Sequence, residues 1–143
     1  MPWLAEQNRP ALRLLVDASY DLRDSNKGDW LAAMRTIMRL NPNDNHGLRD
    51  VVVNELLAQN NNHEALDVIQ RYPGDGTPSM VFGHILALFR LGEAAKALNA
   101  LIEANHANPK IAKWLLPARK AEPKTTSSYG IQVGGDEEAW LYH

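Results

Sequence analysis

Residues 40–49 read Leu-Asn-Pro-Asn-Asp-Asn-His-Gly-Leu-Arg, and they predict a turn between two helices. Apolar residues before and after this stretch recur every three or four positions, as on one face of a helix. Asn41 precedes a proline, so its backbone avoids the helical region and the first helix ends there. The first amides of the second helix need an oxygen acceptor, which Asp44 or Asn45 can supply. We therefore interpret the stretch as a structural turn in an all-α chain.

The same apolar spacing continues on both sides of the turn and predicts a series of helices. They fall near residues 9–23, 30–40, 48–58, 63–72, 79–91, 93–105, 109–118 and 136–142. The fifth is apolar on nearly all sides, which predicts burial at the centre of the core, with Leu86 and Phe89 included. On the sixth, Leu98, Leu101 and Ile102 are expected to face inward.

The chain also repeats itself. Residues 60–66 align with residues 92–98 at an offset of 32, and the same offset places Leu56 on Leu88 and Ile69 on Leu101. A period of about 32–35 residues built from two helices is typical of tetratricopeptide repeats. Neighbouring repeats of this kind bury the apolar surface that one helix pair cannot bury alone.

On these residues the chain resembles tetratricopeptide-like proteins. The second helices carry the resemblance, with a turn glycine at Gly92, a small residue at Ala97 and a closing Asn108-Pro109. The small-then-aromatic pair of that family is absent from the fifth helix. The resemblance implies antiparallel helix pairs stacked as a short α-solenoid with a loop-rich C-terminal tail.

A narrower resemblance covers most of the chain. It rests on residues 40–49, Glu64-Ala65, Arg71-Tyr72-Pro73, residues 87–91 and Asn108-Pro109. These match a group of bacterial tetratricopeptide-like proteins that resemble the suppressor-of-tumorigenicity family. Some such proteins are similar to carriers of a cysteine-rich zinc motif, and this chain contains no cysteine.

The helical pattern predicts that the chain consists of a repeat domain and a C-terminal tail. Residues 1–118 are expected to form the repeat domain, with helix pairs at about 9–40, 47–72 and 79–105 and a short helix at 109–118. Residues 119–143 are expected to form a loop and a terminal helical turn that docks on the repeats. The three residues Trp140, Leu141 and Tyr142 are too apolar to remain in water, which is the reason for this expectation.

Composition narrows the classes of function. The formal net charge is -2, so no basic surplus indicates a nucleic acid or an anionic membrane as partner. No apolar run approaches the roughly 18 residues of a membrane span. The lack of cysteine excludes disulfides and thiolate chemistry, and with the absence of a signal sequence it makes the cytoplasm the expected compartment.

Sequence motifs give no support for catalysis, a metal or another cofactor. The five histidines show no paired helical spacing with a carboxylate beside it, the arrangement that zinc chemistry needs. The serines lie outside any Gly-x-Ser-x-Gly context, and Gly74-Asp75-Gly76 lacks the lysine of a phosphate loop. The acidic run 136–138 is interpreted as the start of an exposed helix. We expect a protein that is not an enzyme.

Two hypotheses of function remain. The first is a scaffold that binds a peptide or a helix of a partner protein on the surface lined by the first helix of each pair. The residues predicted to make this contact are Arg23, Asp50, Asn54, Phe82 and Arg90, alongside Leu57 and Phe89, with a place in the core as the alternative for the two phenylalanines. The alternative is a structural helical-repeat protein that associates with itself as a homodimer, because three pairs are close to the minimum for a stable stack.

Overall fold

The structure is a computed structural model that describes residues 5–26, 28–116, 123 and 133–142. All regular structure in these residues is helical, which confirms the predicted all-α class. A 3-10 turn at Glu6–Asn8 precedes eight α-helices: α1 Arg9–Asp24, α2 Trp30–Leu40, α3 Leu48–Ala58, α4 Asn62–Gln70, α5 Pro78–Arg90, α6 Ala94–Ala107, α7 Pro109–Leu115 and α8 Asp136–Tyr142. Within the described ranges, no helix is both long and apolar enough to cross a membrane.

The chain divides into two compact units, Met1–Asn60 and Asn61–His143. In the first unit, α2 packs against both α1 and α3. Each helix buries residues spaced three or four apart, which include Leu12, Met34, Val52 and Leu56. This spacing is the one that the sequence pattern predicts for a helix with one covered face.

Asp44 organises the turn between α2 and α3. Its carboxylate accepts hydrogen bonds from the backbone N–H groups of Leu48 at 2.9 Å and Arg49 at 2.8 Å. The guanidinium of Arg49 lies 3.2 Å from the same carboxylate, which is almost completely buried. Gly47 adopts φ +70°, a left-handed conformation that favours glycine. The prediction of a capped turn is therefore confirmed: Gly47 occupies the N-cap position of α3, and Asp44, three residues earlier, supplies the acceptor oxygens.

The second unit contains α4 to α8. In it α5 packs against α4 and α6, α7 packs against α6, and α8 packs against α7 and α5. One core cluster of this unit consists of Phe82, Ala104, Ile111, Trp114 and Ala139. Trp140 and Tyr142 of α8 pack against that cluster, so the terminal helix covers apolar surface of the helices before it.

Two expectations about the core are wrong. On α5, Met80, Ala87 and Leu88 are buried, whereas Leu86 and Phe89 are exposed. On α6, Ala97 and Ala104 are buried, whereas Leu98, Leu101 and Ile102 are exposed. The reason is geometric, because a helix that is apolar on every side is covered only where another helix lies against it.

The predicted helix pairs do not all fall within one unit. The helices expected at 47–72 are α3 and α4, and they belong to the first and the second unit, respectively. The predicted domain boundary between residues 118 and 119 lies outside the described residues. The same holds for most of the expected loop at 119–135, of which residues 123 and 133–135 are described.

Candidate interaction groove

A groove of about 710 Å³ lies in the second unit and is bounded by α5, α6, α7 and the end of α8. We call it the α5–α7 groove. Its lining is apolar except for one tyrosine, and it consists of Phe82, Ile85, Leu86, Phe89, Ala94, Ala97, Leu98, Leu101, Ala112, Leu115, Leu116 and Tyr142.

The lining residues recur at helical spacing. Phe82, Leu86 and Phe89 lie four and three residues apart, so they form one row along α5. The rows on α6 and α7 combine large residues with alanines at positions 94, 97 and 112. An alanine fills less space than a leucine at the same position, so the alanines leave the hollow that the larger side chains surround.

Part of the groove lining is open to solvent. Phe89 is 66% exposed, Leu116 is 61% exposed and Leu98 is 57% exposed. Fully burying one such side chain stabilises by roughly 1.5–3 kcal/mol. A contiguous apolar surface of this kind marks a site of interaction more often than a single exposed leucine does.

The charges beside the groove are unevenly distributed. Arg90 lies four residues after Leu86 and ends α5, and Lys113 follows Ala112 on α7, where it interacts electrostatically with Asp136. On α6, Glu93 and Lys96 form an ion pair with a nitrogen–oxygen distance of 3.1 Å, and their charges offset each other. Arg90 and Lys113 are thus sequence neighbours of lining residues, and neither is part of the groove lining.

The position of α8 is set by polar contacts to α7 and to the residue before it. Glu138 accepts hydrogen bonds from the Asn108 side chain at 3.1 Å and from the backbone N–H of Gly134 at 2.7 Å. Lys110 Nζ lies 2.9 Å from Asp136 Oδ2, and this hydrogen bond holds the pKa of Asp136 below its ordinary value. These contacts fix the helix whose last residue lines the groove.

Tyr142, near the end of α8, forms part of the groove wall. Its ring lies 6.0 Å from the ring of Phe82, centroid to centroid, with an angle of 46° between the planes. This is within the distance range of stabilising aromatic pairs. The contact connects the terminal helix to the α5 row, so the wall of the groove depends on the docking of α8.

The predicted contact residues fall in both units. Arg23 is exposed on α1, and its guanidinium carbon lies 5.7 Å from the ring centroid of Trp30. Asp50 and Asn54 are one helical turn apart on α3 of the first unit. In the second unit Phe82 lines the groove, and Arg90 ends α5 beside it.

Most of the groove was not among the predicted contact residues. Leu98, Leu101, Leu115 and Leu116 line it, and so does Phe89, for which the sequence left both the core and the contact surface open. The available signal was an excess of apolar residues on α5 and α6 over what one covered face requires. That signal shows that apolar surface is in surplus, but it does not show which side stays uncovered.

Comparison with family models, with curated proteins and with solved structures gives no match to this chain. The function must therefore be argued from the site itself.

The histidine and acidic side chains are the possible metal ligands. In the described part of the chain, no group of three or more His, Asp or Glu side chains could hold a metal ion. His84 is half-buried on α5, and the loss of hydration lowers the pKa of its imidazole. Its position on α5 lies outside the row that lines the groove.

Proposed function

We propose that this protein is a helical interaction module that binds a segment of another protein in the α5–α7 groove. The observation that carries the proposal is an apolar groove of about 710 Å³ in which three large side chains, Phe89, Leu98 and Leu116, are more than half exposed. Interfaces gain most of their energy from apolar and aromatic side chains that fill pockets at the centre of the contact. Phe89, Leu98 and Leu116 are side chains of this kind.

The proposal includes the repeat architecture. Helices that follow one another pack against one another within each unit, as expected for tetratricopeptide-like helix pairs. We propose that the pairs are antiparallel and continue as a short solenoid of that type. The polar set Arg23, Asp50 and Asn54 would then form a contact surface of the first unit.

Photo-crosslinking tests the proposal directly. A photoreactive phenylalanine analogue is placed at Phe89 in one variant and at Glu103, an exposed residue of α6 outside the groove lining, in a control. We expect protein adducts in cells from position 89 that disappear when Leu98→Glu is added. Adducts of equal yield and identity from both positions would show that the groove has no special role.

Self-association is the second candidate, and exposed apolar residues outside the groove favour it. Leu14 and Leu15 are neighbours on α1 of the first unit, and both are exposed. Covering them between two copies would remove apolar surface from water. Size-exclusion chromatography with light scattering separates the candidates, because a dimer that dissociates on Leu14→Glu supports self-association, and a monomer supports the interaction module.

A further inference from the structure

We propose that docking of α8 regulates the α5–α7 groove: the groove binds its occupant more tightly when α8 is docked, and an occupied groove holds α8 in place. Glu138 is the positioning residue of this arrangement, because its carboxylate holds α8 and lies outside the groove lining. This inference rests on the proposed function and adds the regulation of its site.

The link between α8 and the groove is Tyr142. Among the described residues of α8, Tyr142 lines the groove, whereas Trp140 packs against the core cluster that contains Phe82, and Leu141 is exposed. The ring of Tyr142 contacts Phe82, which belongs both to the lining and to that core cluster. If α8 leaves, the groove therefore loses Tyr142 from its wall, and Phe82 loses the ring beside it.

α8 is too short to be stable without the rest of the second unit. It contains seven residues, and helices shorter than about 12–15 residues are marginal in water. Its helical state therefore depends on its packing against α7 and α5. Ala139 is buried in the core cluster, and Trp140 and Tyr142 are half-buried against it. A helix that rests on so few side chains opens at a lower free energy than the helices of a core.

Polar contacts at the start of α7 contribute to the docking of α8. The Lys110 and Asp136 side chains form an ion pair in which they are 44% and 53% exposed, and an ion pair of this kind contributes little. Glu138 is half-buried and accepts hydrogen bonds from Asn108 and from the backbone of Gly134. All these residues lie outside the groove lining, so they act on the groove only through the position of α8.

The direction of the coupling follows from the composition of the wall. The groove of about 710 Å³ is formed with α8 docked, and Tyr142 is part of its lining. An occupant that contacts Tyr142 binds the docked state better than the undocked state, and it shifts the population towards the docked state. The effect is reciprocal, because docking of α8 raises the affinity of the groove by the same factor by which the occupant stabilises the docking. An occupant that displaced α8 would produce the opposite sign.

Binding of Nile red, a neutral apolar dye, to the full chain tests the first half of the coupling. Release of α8 also uncovers apolar surface elsewhere, so each variant is titrated with and without Leu98→Glu, and the difference is the groove-dependent binding. We expect Glu138→Ala to weaken that binding by about fivefold, at the lower end of the usual coupling between two sites. Leu141→Ala, at an exposed position of α8 outside the lining, should leave it unchanged.

A second pair of variants separates positioning from general stabilisation. In the Tyr142→Ala background α8 no longer contributes to the lining, so Glu138→Ala should have no further effect on groove-dependent binding. A carboxylate that only stabilised the second unit would weaken binding equally in both backgrounds. That result would overturn the inference and leave the proposed function standing.

Amide hydrogen exchange tests the reverse half of the coupling. Saturating Nile red should slow the exchange of residues 139–142 in the unaltered chain and leave it unchanged in Leu98→Glu. Exchange that stays the same or becomes faster in the unaltered chain would overturn the inference, and faster exchange would mean that the occupant displaces α8. Equal dye binding by the unaltered chain and by Leu98→Glu would show that the groove accepts no apolar group, and the proposed function would then fail as well.

Discussion

The carboxylate of Glu138 accepts a hydrogen bond of 3.1 Å from the side-chain amide of Asn108, thirty residues earlier in the chain. Asn108 stands before a proline at the end of α6, and Asn41 stands before a proline at the end of α2. The side-chain Nδ2 of Asn41 is buried and has no hydrogen-bond partner in the described part of the chain. The two Asn-Pro dipeptides, 41–42 and 108–109, thus differ in their contacts, because α8 packs beside Asn108.

We expect Glu138→Ala to release α8. The variant loses the bonds to Asn108 and Gly134, and hydrogen bonds to a charged group contribute about 1.5–3 kcal/mol each at most. Amide exchange of residues 136–142 should become faster, while exchange in α5 and α6 should change less. Glu103→Ala, on an exposed side of α6, is the control. Unchanged protection of α8 in Glu138→Ala would contradict the role of this carboxylate.

Asp44→Ala should destabilise the first unit by about 2–3 kcal/mol, because it removes the cap of α3 and the partner of a largely buried arginine. Asp44→Asn should cost less, since one acceptor oxygen remains. Asn45→Ala is the matched control in the same turn, where the side chain is exposed. Urea denaturation measures all three, and equal midpoints for the variants at 44 and 45 would show that Asp44 does not hold the turn.

The two sides of α5 should respond differently to truncation. Met80 is 1% exposed, so Met80→Ala should lower the free energy of unfolding by about 2–5 kcal/mol through lost burial and a cavity. Leu86 is 38% exposed and faces the groove, so Leu86→Ala should cost about 1 kcal/mol or less. If urea denaturation gives the larger loss for Leu86→Ala, the assignment of the exposed side of α5 is wrong.

Charged substitutions in the groove should leave the fold intact. For Phe89→Glu and Leu98→Glu we expect changes in stability within about 0.5 kcal/mol, because both side chains already contact water. Binding of an environment-sensitive apolar dye to the native protein should fall in both. The control is Asn99→Glu on α6, which lies outside the lining. A loss of helical signal in the groove variants would mean that this surface is covered in the native state.

Stability should decrease in mildly acidic solution in a way that depends on His84. Loss of hydration lowers the pKa of His84 below its ordinary value of 6.5. The unfolded chain therefore takes up the proton at a higher pH than the folded chain does. Well above pH 6.5, His84 does not change the free energy of unfolding. That free energy falls as the pH drops through 6.5, and it levels off below the pKa of His84 in the folded chain.

The pH dependence can be assigned with one pair of variants. Urea midpoints are measured from about pH 8 to about pH 5, the interval in which histidine titrates. His84→Gln should flatten the decline, and His63→Gln, at an exposed position, should not. An identical slope in the unaltered chain and in His84→Gln would contradict the effect of burial on this imidazole.

Local chemistry made much of the helical framework predictable. The turn at 40–49 needed only the conformational restriction that Pro42 places on Asn41 and the acceptor oxygens of Asp44. The approximate helix positions followed from apolar spacing, and α2 ends at Leu40, before Asn41-Pro42, as predicted. For α8 the sequence indicated a short helix with an acidic start, and the structure has it at Asp136–Tyr142.

The sequence by itself thus determined the all-α class, the turns and the surplus of apolar residues on α5 and α6. Only the tertiary structure decided which of those residues are covered. Leu88 is buried and Phe89, the next residue, is exposed, although both are large and apolar. Apolar spacing records how much surface a helix can bury, whereas burial also requires a neighbour at the right distance and angle. The groove exists because α5, α6 and α7 leave space beside three alanines that no other described helix fills.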